Sequence, residues 1–536
     1  MNRRVAIAAP GTLAVEAGLA QVVEGGNAVD AAIAAVVTAA VTEPGIVSPM
    51  GGAFVTVWPP RGEPLTLDGN VEMPGRGRAP NAFGRGLEQI DMAYGGGITV
   101  HGGHGSVATP GMFAALDEAH RRWGRVPWAR LMAPAASAVR DGYPLGSAAA
   151  YYLTFSGSRL FAWHEDTRAF LEQHGPGRIP TAGTLMRSPD LANTLEAIGR
   201  DGAATLYTGE LARVIADDMA ANGGLLALED LRAYRVVART PLRTRLGSWD
   251  IAVNPAPSIG GPVLTAMLRA LVERRGALDL STPRDGDATD AAGVPVVCDP
   301  DVLIEVQRLV LGYRHRAIDL AEDLPAALDE MVTVLGAHGP AGLAAASTSQ
   351  DTIHVSVVDS DGLACSATTS AGYGSGVTTP GTGLMLNNGL GEPELNRRGL
   401  HILPPGTRLA SNMAPTTARH DDGSTLAVGS PGADRITTAL MQVLGHFCLD
   451  GMTLQDAIDA PRVHVAFDAA GNPRLEHEDG PGLREAAQAS GLPYRTHEEI
   501  GMYFGGVGAA LHGYDDGGEL LLAAGDPRRE AATGVG

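Results

Sequence analysis

The feature that most narrows the possible folds of this chain is an alternating run in its interior, residues 351–359, with the sequence DTIHVSVVD. Apolar residues recur at every second position from Ile353, which is the period of a β-strand, and Asp361-Gly362 predicts a tight hairpin turn into a second strand through Thr369. Thr352 therefore begins a strand. Residues 342–350 before it are mostly small and predict a mobile, solvent-exposed lead.

A threonine behind an exposed lead is what an enzyme needs if it cuts itself to expose a new amino terminus. The threonine hydroxyl is a weak nucleophile until a base removes its proton, and a free α-amino group, with a pKa near 8, can serve as that base. Thr352 would then supply both nucleophile and base. Taken alone, the segment is better explained as an ordinary surface hairpin.

Motifs elsewhere in the chain change that balance. Residues 352–359 resemble the start of the small subunit in the γ-glutamyltransferase (γ-glutamyltranspeptidase) family, whose members mature by cleavage before Thr-x-His. Further motifs resembling that family follow in order over nearly the whole chain: GGNAVDAA (25–32), MGGAF (50–54), VATPG (107–111), GRVPW (124–128), PSIGG (257–261), GSPG (429–432), APRVH (460–464) and DPRR (526–529). Each is weak alone, but their order around Thr352 is hard to obtain by chance.

The pattern of elements predicts a layered α/β architecture, with strands clustered on both sides of Thr352 and helical segments outside them. The resemblance implies the four-layer αββα sandwich of the N-terminal-nucleophile hydrolases, an α/β (α+β) fold. It also implies a large subunit, 1–351, and a small subunit, 352–536, that together form one intertwined domain. Length alone would suggest three to four domains.

Local signals place the first elements. Residues 5–9 predict a strand, Thr12 is expected to cap a helix that ends at Glu24, and Asn27 with Asp30 predicts the cap of a second, Ala-rich helix. That second helix is far shorter than the roughly 20 residues a membrane span needs, and we predict no transmembrane element. The polar segment 280–295 predicts a long loop.

Composition excludes several function classes. The formal net charge of -20 disfavours a nucleic-acid partner, because affinity for a phosphate backbone comes mostly from Lys and Arg. The chain contains no Lys, which excludes a P-loop lysine, a Schiff-base lysine and a Ser-Lys dyad. Any cationic recognition must therefore use Arg.

We expect neither a metal nor a cofactor. The three cysteines are too few and too scattered for a disulfide framework or a zinc site, and are expected to be small buried hydrophobes of a reducing compartment. His101 and His104 are expected to be solvated in a Gly-rich loop with no carboxylate or thiol nearby. The apolar run 5–9 is too short for a signal peptide, so we expect a cytoplasmic protein.

The resemblance assigns the reacting groups. Thr352 would attack the substrate carbonyl and, through an N-to-O acyl shift, would also break the Asp351-Thr352 bond. Gly432 and Ala433 match a Gly-Gly pair whose backbone N–H groups bind the oxyanion; the Ala matters little unless its φ is positive. Ser370 takes the place of a Thr or Ser that hydrogen-bonds the nucleophile.

Substrate recognition is where the chain departs from the family pattern. The family's Arg-Glu-x-Ala-Pro motif, whose Arg holds the glutamyl α-carboxylate, is replaced by residues 70–74, NVEMP. The positions that correspond to the other glutamate-binding residues are Gly372, Gly389, Glu392, Ser411 and Asn412. A carboxylate without a bidentate cation loses roughly 1.5 to 3 kcal/mol. Arg76 and Arg78 are expected to be exposed loop arginines.

The sequence therefore predicts a self-processing threonine hydrolase or acyltransferase that acts on a small molecule with a rebuilt acyl pocket. A family-level possibility is a homologue in secondary metabolism, including carbon–carbon bond hydrolysis. Two alternatives remain open. One is a true γ-glutamyltranspeptidase or glutathione hydrolase; the other is a non-catalytic homologue that binds a small molecule or partner.

Overall fold

The computed structural model describes residues 3–94, 97–277, 297–338, 352–393, 395–468, 470–515, 517–529 and 531–536. The predicted loop 280–295, the predicted lead 342–350 and Asp351 lie outside the described residues. Across the described chain, none of the helices is both long enough and apolar enough to cross a bilayer.

The α-helices of the described residues are 6 to 18 residues long. Their bounds are α1 Thr12–Val23, α2 Ala28–Thr42, α3 Met112–Trp123, α4 Trp128–Asp141, α5 Ser147–Ser156, α6 Glu165–Leu171, α7 Pro189–Asp201, α8 Glu210–Ala221, α9 Leu228–Ala233, α10 Gly260–Ala277, α11 Pro300–Tyr313, α12 Leu324–His338, α13 Arg435–Cys448, α14 Leu454–Asp459 and α15 Leu483–Ala489.

The strands are short. Their bounds are β1 Val5–Pro10, β2 Gly52–Trp58, β3 Leu65–Gly69, β4 Glu88–Met92, β5 Ile98–Gly102, β6 Tyr143–Pro144, β7 Leu185–Met186, β8 Val237–Arg239, β9 Leu242–Leu246, β10 Trp249–Val253, β11 Ile353–Asp359, β12 Ala364–Ser370, β13 Thr378–Thr379, β14 Leu384–Met385, β15 Thr416–His420, β16 Thr425–Gly429, β17 Val463–Phe467, β18 Pro473–Glu478, β19 Tyr494–His497, β20 Gly508–Asp515, β21 Gly518–Gly525 and β22 Ala531–Val535.

Two large antiparallel sheets form the centre of the fold. The first has the order β22-β1-β11-β12-β2-β3-β8, and the second has the order β21-β20-β16-β15-β10-β9. The predicted hairpin is β11–β12, in which Val357 pairs with Cys365 and Gly362 adopts a φ of 81° in the turn. This hairpin therefore lies in the middle of the first sheet.

The faces of β11 are buried against different layers. Ile353, Val355 and Val357 belong to the core that the first sheet shares with α1 and α2, while Val358 belongs to a separate cluster between the two sheets. That cluster contains mostly alanines, including Ala427 of β16, so the sheets pack closely there. On the outer face of the second sheet lie α10 and α13. The fold is thus a four-layer αββα sandwich.

Capping explains where the first helices begin. Asn27 accepts the N–H groups of Val29 and Asp30, and Asp30 accepts the N–H of Asn27, which is the capping box that the sequence predicts. The prediction that Thr12 caps α1 is wrong, because Gly11 holds the cap position and Thr12 is the first helical residue. All fifteen residues of α2 are buried.

Candidate active site

Strand register brings Thr352 and Ser370 together. Thr352 directly precedes β11, is 1% exposed, and lies on the same strand face as His354. Ile353 pairs with Thr369, so continuing the antiparallel register by one residue places Thr352 opposite Ser370 at the end of β12. Both residues line one pocket.

This pocket collects most of the predicted site residues. Its lining comes from the start of β11, the end of β12 and the segments around residues 70, 390 and 412. Predicted residues in the lining are Thr352, Ser370, Gly372, Gly389, Glu392, Ser411 and Asn412, and Asn70 and Val71 belong to the segment 70–74 that replaces the family's Arg motif. Those that the prediction missed are Ala371, Asn387, Leu395, Leu409, Ala410, Met413 and Ile436. Asn387 is the first of two successive asparagines, 387–388, that follow β14. Such a polar pair next to a strand could have indicated the site.

Gly432 and Ala433 lie outside that lining but close to it in the fold. They sit in the turn between β16 and α13, and Ile436 in the first turn of α13 lines the pocket with Thr352. At the start of the turn, a Cβ on Gly429 would lie 2.3 Å from Cε1 of His354. The turn is therefore packed against the strand that Thr352 begins.

The backbone of this turn is strained. Gly432 has a φ of 122° and Ala433 a φ of 60°, so the condition under which an alanine there matters is met. Such a conformation costs a non-glycine residue about 1 to 2 kcal/mol. The carbonyls of both residues accept helical N–H groups, from Arg435 and Ile436. Within the described chain, neither the N–H of Gly432 nor that of Ala433 has an acceptor.

His354 forms a buried hydrogen-bond relay between the sheets. Its Nδ1 lies 2.8 Å from Oγ1 of Thr368, and its Nε2 lies 2.7 Å from Oγ of Ser356. Because Ser356 donates to the carbonyl of Gly508, it accepts from Nε2–H, and Nδ1 accepts from the Thr368 hydroxyl. Burial lowers the pKa of His354 to about 3. His354 is therefore a neutral structural link with no nitrogen available as a base.

Gly372 sets the approach of the backbone to Glu392. Its φ is 65°, and a Cβ there would lie 2.2 Å from Oδ1 of Asn388 and 2.6 Å from Oε1 of Glu392. The N–H of Gly372 donates to Oγ of Ser370. No larger residue fits at this position without moving Asn388 or Glu392. Gly372 therefore lies between Ser370, to which its N–H donates, and the Glu392 carboxylate.

Ser411 and Asn412 differ in how their side chains are used. Oγ of Ser411 accepts the N–H of Met413 at 3.2 Å. Asn412 is 2% exposed, and neither atom of its side-chain amide has a hydrogen-bond partner within the described residues. A buried amide without a partner costs free energy, so Asn412 offers the pocket a donor and an acceptor.

Arginines near the pocket are engaged elsewhere. Arg76 lies 3.4 Å from both Glu72 and Asp230, and Arg408 lies 2.7 Å from Glu72 and 3.2 Å from Asp68. Arg78 donates to the carbonyl of Leu225. The prediction that Arg76 and Arg78 are exposed is wrong, because both are half-buried and hydrogen-bonded. Of the described residues that line the pocket, none is basic and Glu392 is the one carboxylate.

His104 in the Gly-rich loop is not solvated as predicted, whereas His101 is half-buried. His104 is 6% exposed, and its Nε2 lies 3.4 Å from Oδ2 of Asp218 in α8. The prediction that no carboxylate lies nearby is therefore wrong, since α8 is more than a hundred residues away in sequence and the fold brings it to the loop.

Comparisons with known proteins agree with the fold. A family model described as Gamma-glutamyltranspeptidase matches residues 14–535. The glutathione hydrolase proenzyme of Escherichia coli is 29% identical over 549 residues, covering 97% of this chain and 90% of that protein. The acylase ACY 1 proenzyme of a Pseudomonas species, strain V22, is 30% identical, covering 84% and 80%. The crystal structure of cephalosporin acylase from Bacillus halodurans superposes with a TM-score of 0.79 at 25% identity, covering 99% and 95%.

Proposed function

Because the chain belongs to the gamma-glutamyltranspeptidase family of N-terminal-nucleophile hydrolases, we propose that it cuts itself before Thr352 and uses that residue as the nucleophile of an amide hydrolase or acyltransferase. Cleavage would give subunits of 351 and 536 - 351 = 185 residues. The observation that carries the proposal is the position of Thr352, which directly precedes the central strand β11 and lines a pocket with Ser370 and Asn412.

Self-cleavage would follow from the same hydroxyl. Oγ1 of Thr352 attacks the carbonyl carbon of residue 351, a C–O bond forms, the C–N bond breaks, and the freed amine takes the hydroxyl proton. Water then hydrolyses the ester, leaving a carboxylate on residue 351 and restoring the hydroxyl. Ser370, placed opposite Thr352 by the strand register, would orient the hydroxyl.

In the mature enzyme the α-amino group of Thr352 would be the base. Its pKa near 8 suits proton transfer from the hydroxyl, and His354 is unsuitable because both of its ring nitrogens are already hydrogen-bonded. The hydroxyl attacks the substrate carbonyl, and the N–H groups of Gly432 and Ala433 would stabilise the oxyanion. The amine leaves with a proton, and water or an amine resolves the acyl-threonine.

The chemistry of the pocket lining favours a substrate whose acyl group is not γ-glutamyl. A γ-glutamyl group carries a carboxylate that needs a cation, and the described lining offers amides, hydroxyls and the Glu392 carboxylate instead. We therefore propose an acyl group with neutral or cationic polar substituents. The relatives are named both as glutathione hydrolases and as acylases, so a change of acyl specificity on this fold has parallels.

Carbon–carbon hydrolysis in a biosynthetic pathway is a finer form of the same proposal. The acyl-threonine step breaks the bond between the carbonyl carbon and the leaving group. A carbon leaving group departs in the same way if it can hold the electron pair and accept a proton. The absence of a basic side chain from the described pocket lining favours a substrate outside the glutamyl class.

Processing and activity are tested with Thr352→Ala. The wild-type protein should give two bands whose intact masses match residues 1–351 and 352–536, while Thr352→Ala should remain one chain and be inactive. Thr369→Ala, on the adjacent position of β12, is a control that should still be processed. A wild-type chain that is active yet uncut would refute the nucleophile, and one that is both uncut and inactive would favour a binding homologue.

Four p-nitroanilides separate the substrate classes. The γ-glutamyl, glutaryl, 4-aminobutyryl and butyryl derivatives share the carbon chain from the reacting carbonyl to the α-carbon and differ in whether that carbon bears the α-carboxylate and the amino group. We expect both compounds that lack the α-carboxylate to have kcat/KM values about 10- to 150-fold above their carboxylated counterparts, from the 1.5 to 3 kcal/mol of an unpaired carboxylate. Fastest turnover of the γ-glutamyl compound would instead establish a true γ-glutamyltranspeptidase.

A further inference from the structure

A thiol, an imidazole and a carboxylate meet at the far end of α13 from the pocket. Cys298 lies two residues before α11, His446 lies in the last turn of α13, and Asp450 lies just beyond that helix. Their ligand atoms all lie within 4.8 Å of one another. We refer to these three residues as the Cys298 cluster.

The carboxylate in the Cys298 cluster is held in place by its neighbours. Asp450 accepts the N–H of Val297 at 2.8 Å and the N–H of Cys298 at 3.3 Å, and its Oδ2 lies 3.0 Å from Nδ1 of His446. The side chains of His446 and Asp450 are 13% and 5% exposed, and Cys298 is 2% exposed. The three groups are thus oriented and mostly withdrawn from water.

The geometry points to a zinc site, and we propose that the Cys298 cluster binds one Zn²⁺ through Sγ of Cys298, a ring nitrogen of His446 and a carboxylate oxygen of Asp450. These are the ligand types that zinc takes in proteins, and tetrahedral bonding would place them about 3.3 to 3.6 Å apart. The present spread requires only small side-chain shifts. Water would complete the four ligands.

Binding would exchange one proton for the metal. Burial, together with the carboxylate of Asp450, raises the pKa of the Cys298 thiol well above its usual value, so the thiol is protonated while the cluster is empty. Zinc would take the thiolate, and the thiol proton would leave to solvent. The His446–Asp450 hydrogen bond would be replaced by two bonds to the metal.

The position of the Cys298 cluster indicates a structural role. Ile436 and His446 are ten residues apart on α13, or about 15 Å along the helix, and only Ile436 lines the pocket. A metal at the cluster would clamp the end of α13 to the start of α11, both of which pack in the core of the second sheet. It would therefore raise stability and leave the chemistry at Thr352 unchanged.

The test uses untagged, metal-stripped full-length protein. Calorimetric titration with Zn²⁺ should give one site per chain, and Co²⁺ should give the thiolate-to-metal charge-transfer absorption that marks a cysteine ligand. Cys298→Ala and His446→Ala should lose the site, and Asp450→Asn should weaken it by at least tenfold. Cys365→Ala removes a buried thiol of β12 that belongs to the core of the first sheet rather than to that of α13, and this variant should bind normally.

Melting curves provide the second readout. Zinc should raise the melting temperature of the wild-type protein and of Cys365→Ala but not that of His446→Ala, with turnover at Thr352 unaffected. Failure of the wild-type protein to bind either metal, or binding by Cys298→Ala and His446→Ala as tight as that of the wild-type protein, would show that the Cys298 cluster is only a hydrogen-bonded clamp. If Cys298→Ala does not fold, the cobalt spectrum of the wild-type protein decides.

Discussion

At the scale of single residues, His354 shows how a motif histidine two positions from the proposed nucleophile can be excluded from proton transfer. Thr368 and Ser356 saturate its two nitrogens, and a Cβ on Gly429 would overlap its ring. Its burial between the sheets, rather than its spacing from Thr352, decides its protonation. The sequence predicted the strand that carries both His354 and Ser356. The bond to Thr368 depends on the register of β12, and the bond from Ser356 to Gly508 depends on β20 of the second sheet, which no local pattern reveals.

The depressed pKa of His354 makes stability depend on pH. The ring takes a proton near 6.5 in the unfolded chain but only near about 3 in the fold, so between these values the unfolded state binds more protons. Its contribution to stability is therefore complete above pH 6.5 and is lost as pH falls toward 3, with a slope approaching about 1.4 kcal/mol per pH unit.

Chemical denaturation at several pH values measures this effect. We expect the free energy of unfolding of His354→Gln to fall less steeply between pH 6.5 and 4 than that of the wild-type protein. His174→Gln, at an exposed position, is the matched control and should follow the wild-type curve. Parallel curves for His354→Gln and wild type would mean that His354 is already protonated in the fold.

The conformation of Ala433 could not be predicted from the sequence. The motif around 429–432 located the turn, and the positive φ of Ala433 was the stated condition on which its identity depends. Whether that condition holds depends on how the end of β16 meets α13, a tertiary fact. The pocket residues from 70–71 and 409–413 are separated by more than 300 residues, so no local pattern brings Asn70 to Asn412, and only the family resemblance placed them at one site.

At the scale of elements, the turn after β12 is the segment on which the pocket depends most. It must reverse direction beside Ser370 while its backbone approaches Glu392, and Gly372 satisfies both needs through a φ of 65° and the absence of a Cβ. The strand β11, predicted from its period-two alternation, and the start of α2, predicted from its capping box, were observed close to their predicted positions. Turns such as this one were not, because their geometry depends on contacts distant in sequence.

Two glycine-to-alanine variants separate backbone strain from lost space. Gly372→Ala should lower kcat/KM by at least tenfold, because its Cβ would force Glu392 or Asn388 to move. Gly381 has a similar φ, 69°, but a Cβ added there would meet no atom within 4 Å, so Gly381→Ala should cost only about 1 kcal/mol of stability and little activity. Steady-state kinetics and thermal melting compare the two variants. An equal loss of kcat/KM in Gly372→Ala and Gly381→Ala would mean that backbone strain alone causes the effect.

At the scale of the whole molecule, the proposed cut at Thr352 falls inside an interleaved structure. In the first sheet β1 and β2 precede Thr352, whereas β22, β11 and β12 follow it, so the order β22-β1-β11-β12-β2 alternates between the two sides of the cut. In the second sheet β10 precedes it and β15, its direct partner, follows it. The family resemblance implied both the proposed cut and one intertwined domain, but the strand order that interleaves the two sides could not be read from the sequence.

Interleaving predicts that the two subunits remain one folding unit after cleavage. The strand pairs β1–β11, β1–β22, β2–β12 and β10–β15 all join residues on opposite sides of Thr352, so separating the subunits would expose the edges of both sheets and the apolar faces they bury. We expect processed protein to elute natively as a complex of both subunits and to unfold in one cooperative transition. Residues 352–536 expressed alone should be insoluble or unfolded by circular dichroism. A soluble, folded small subunit, or two separate melting transitions, would contradict this, because each side of the cut would then hold a core of its own.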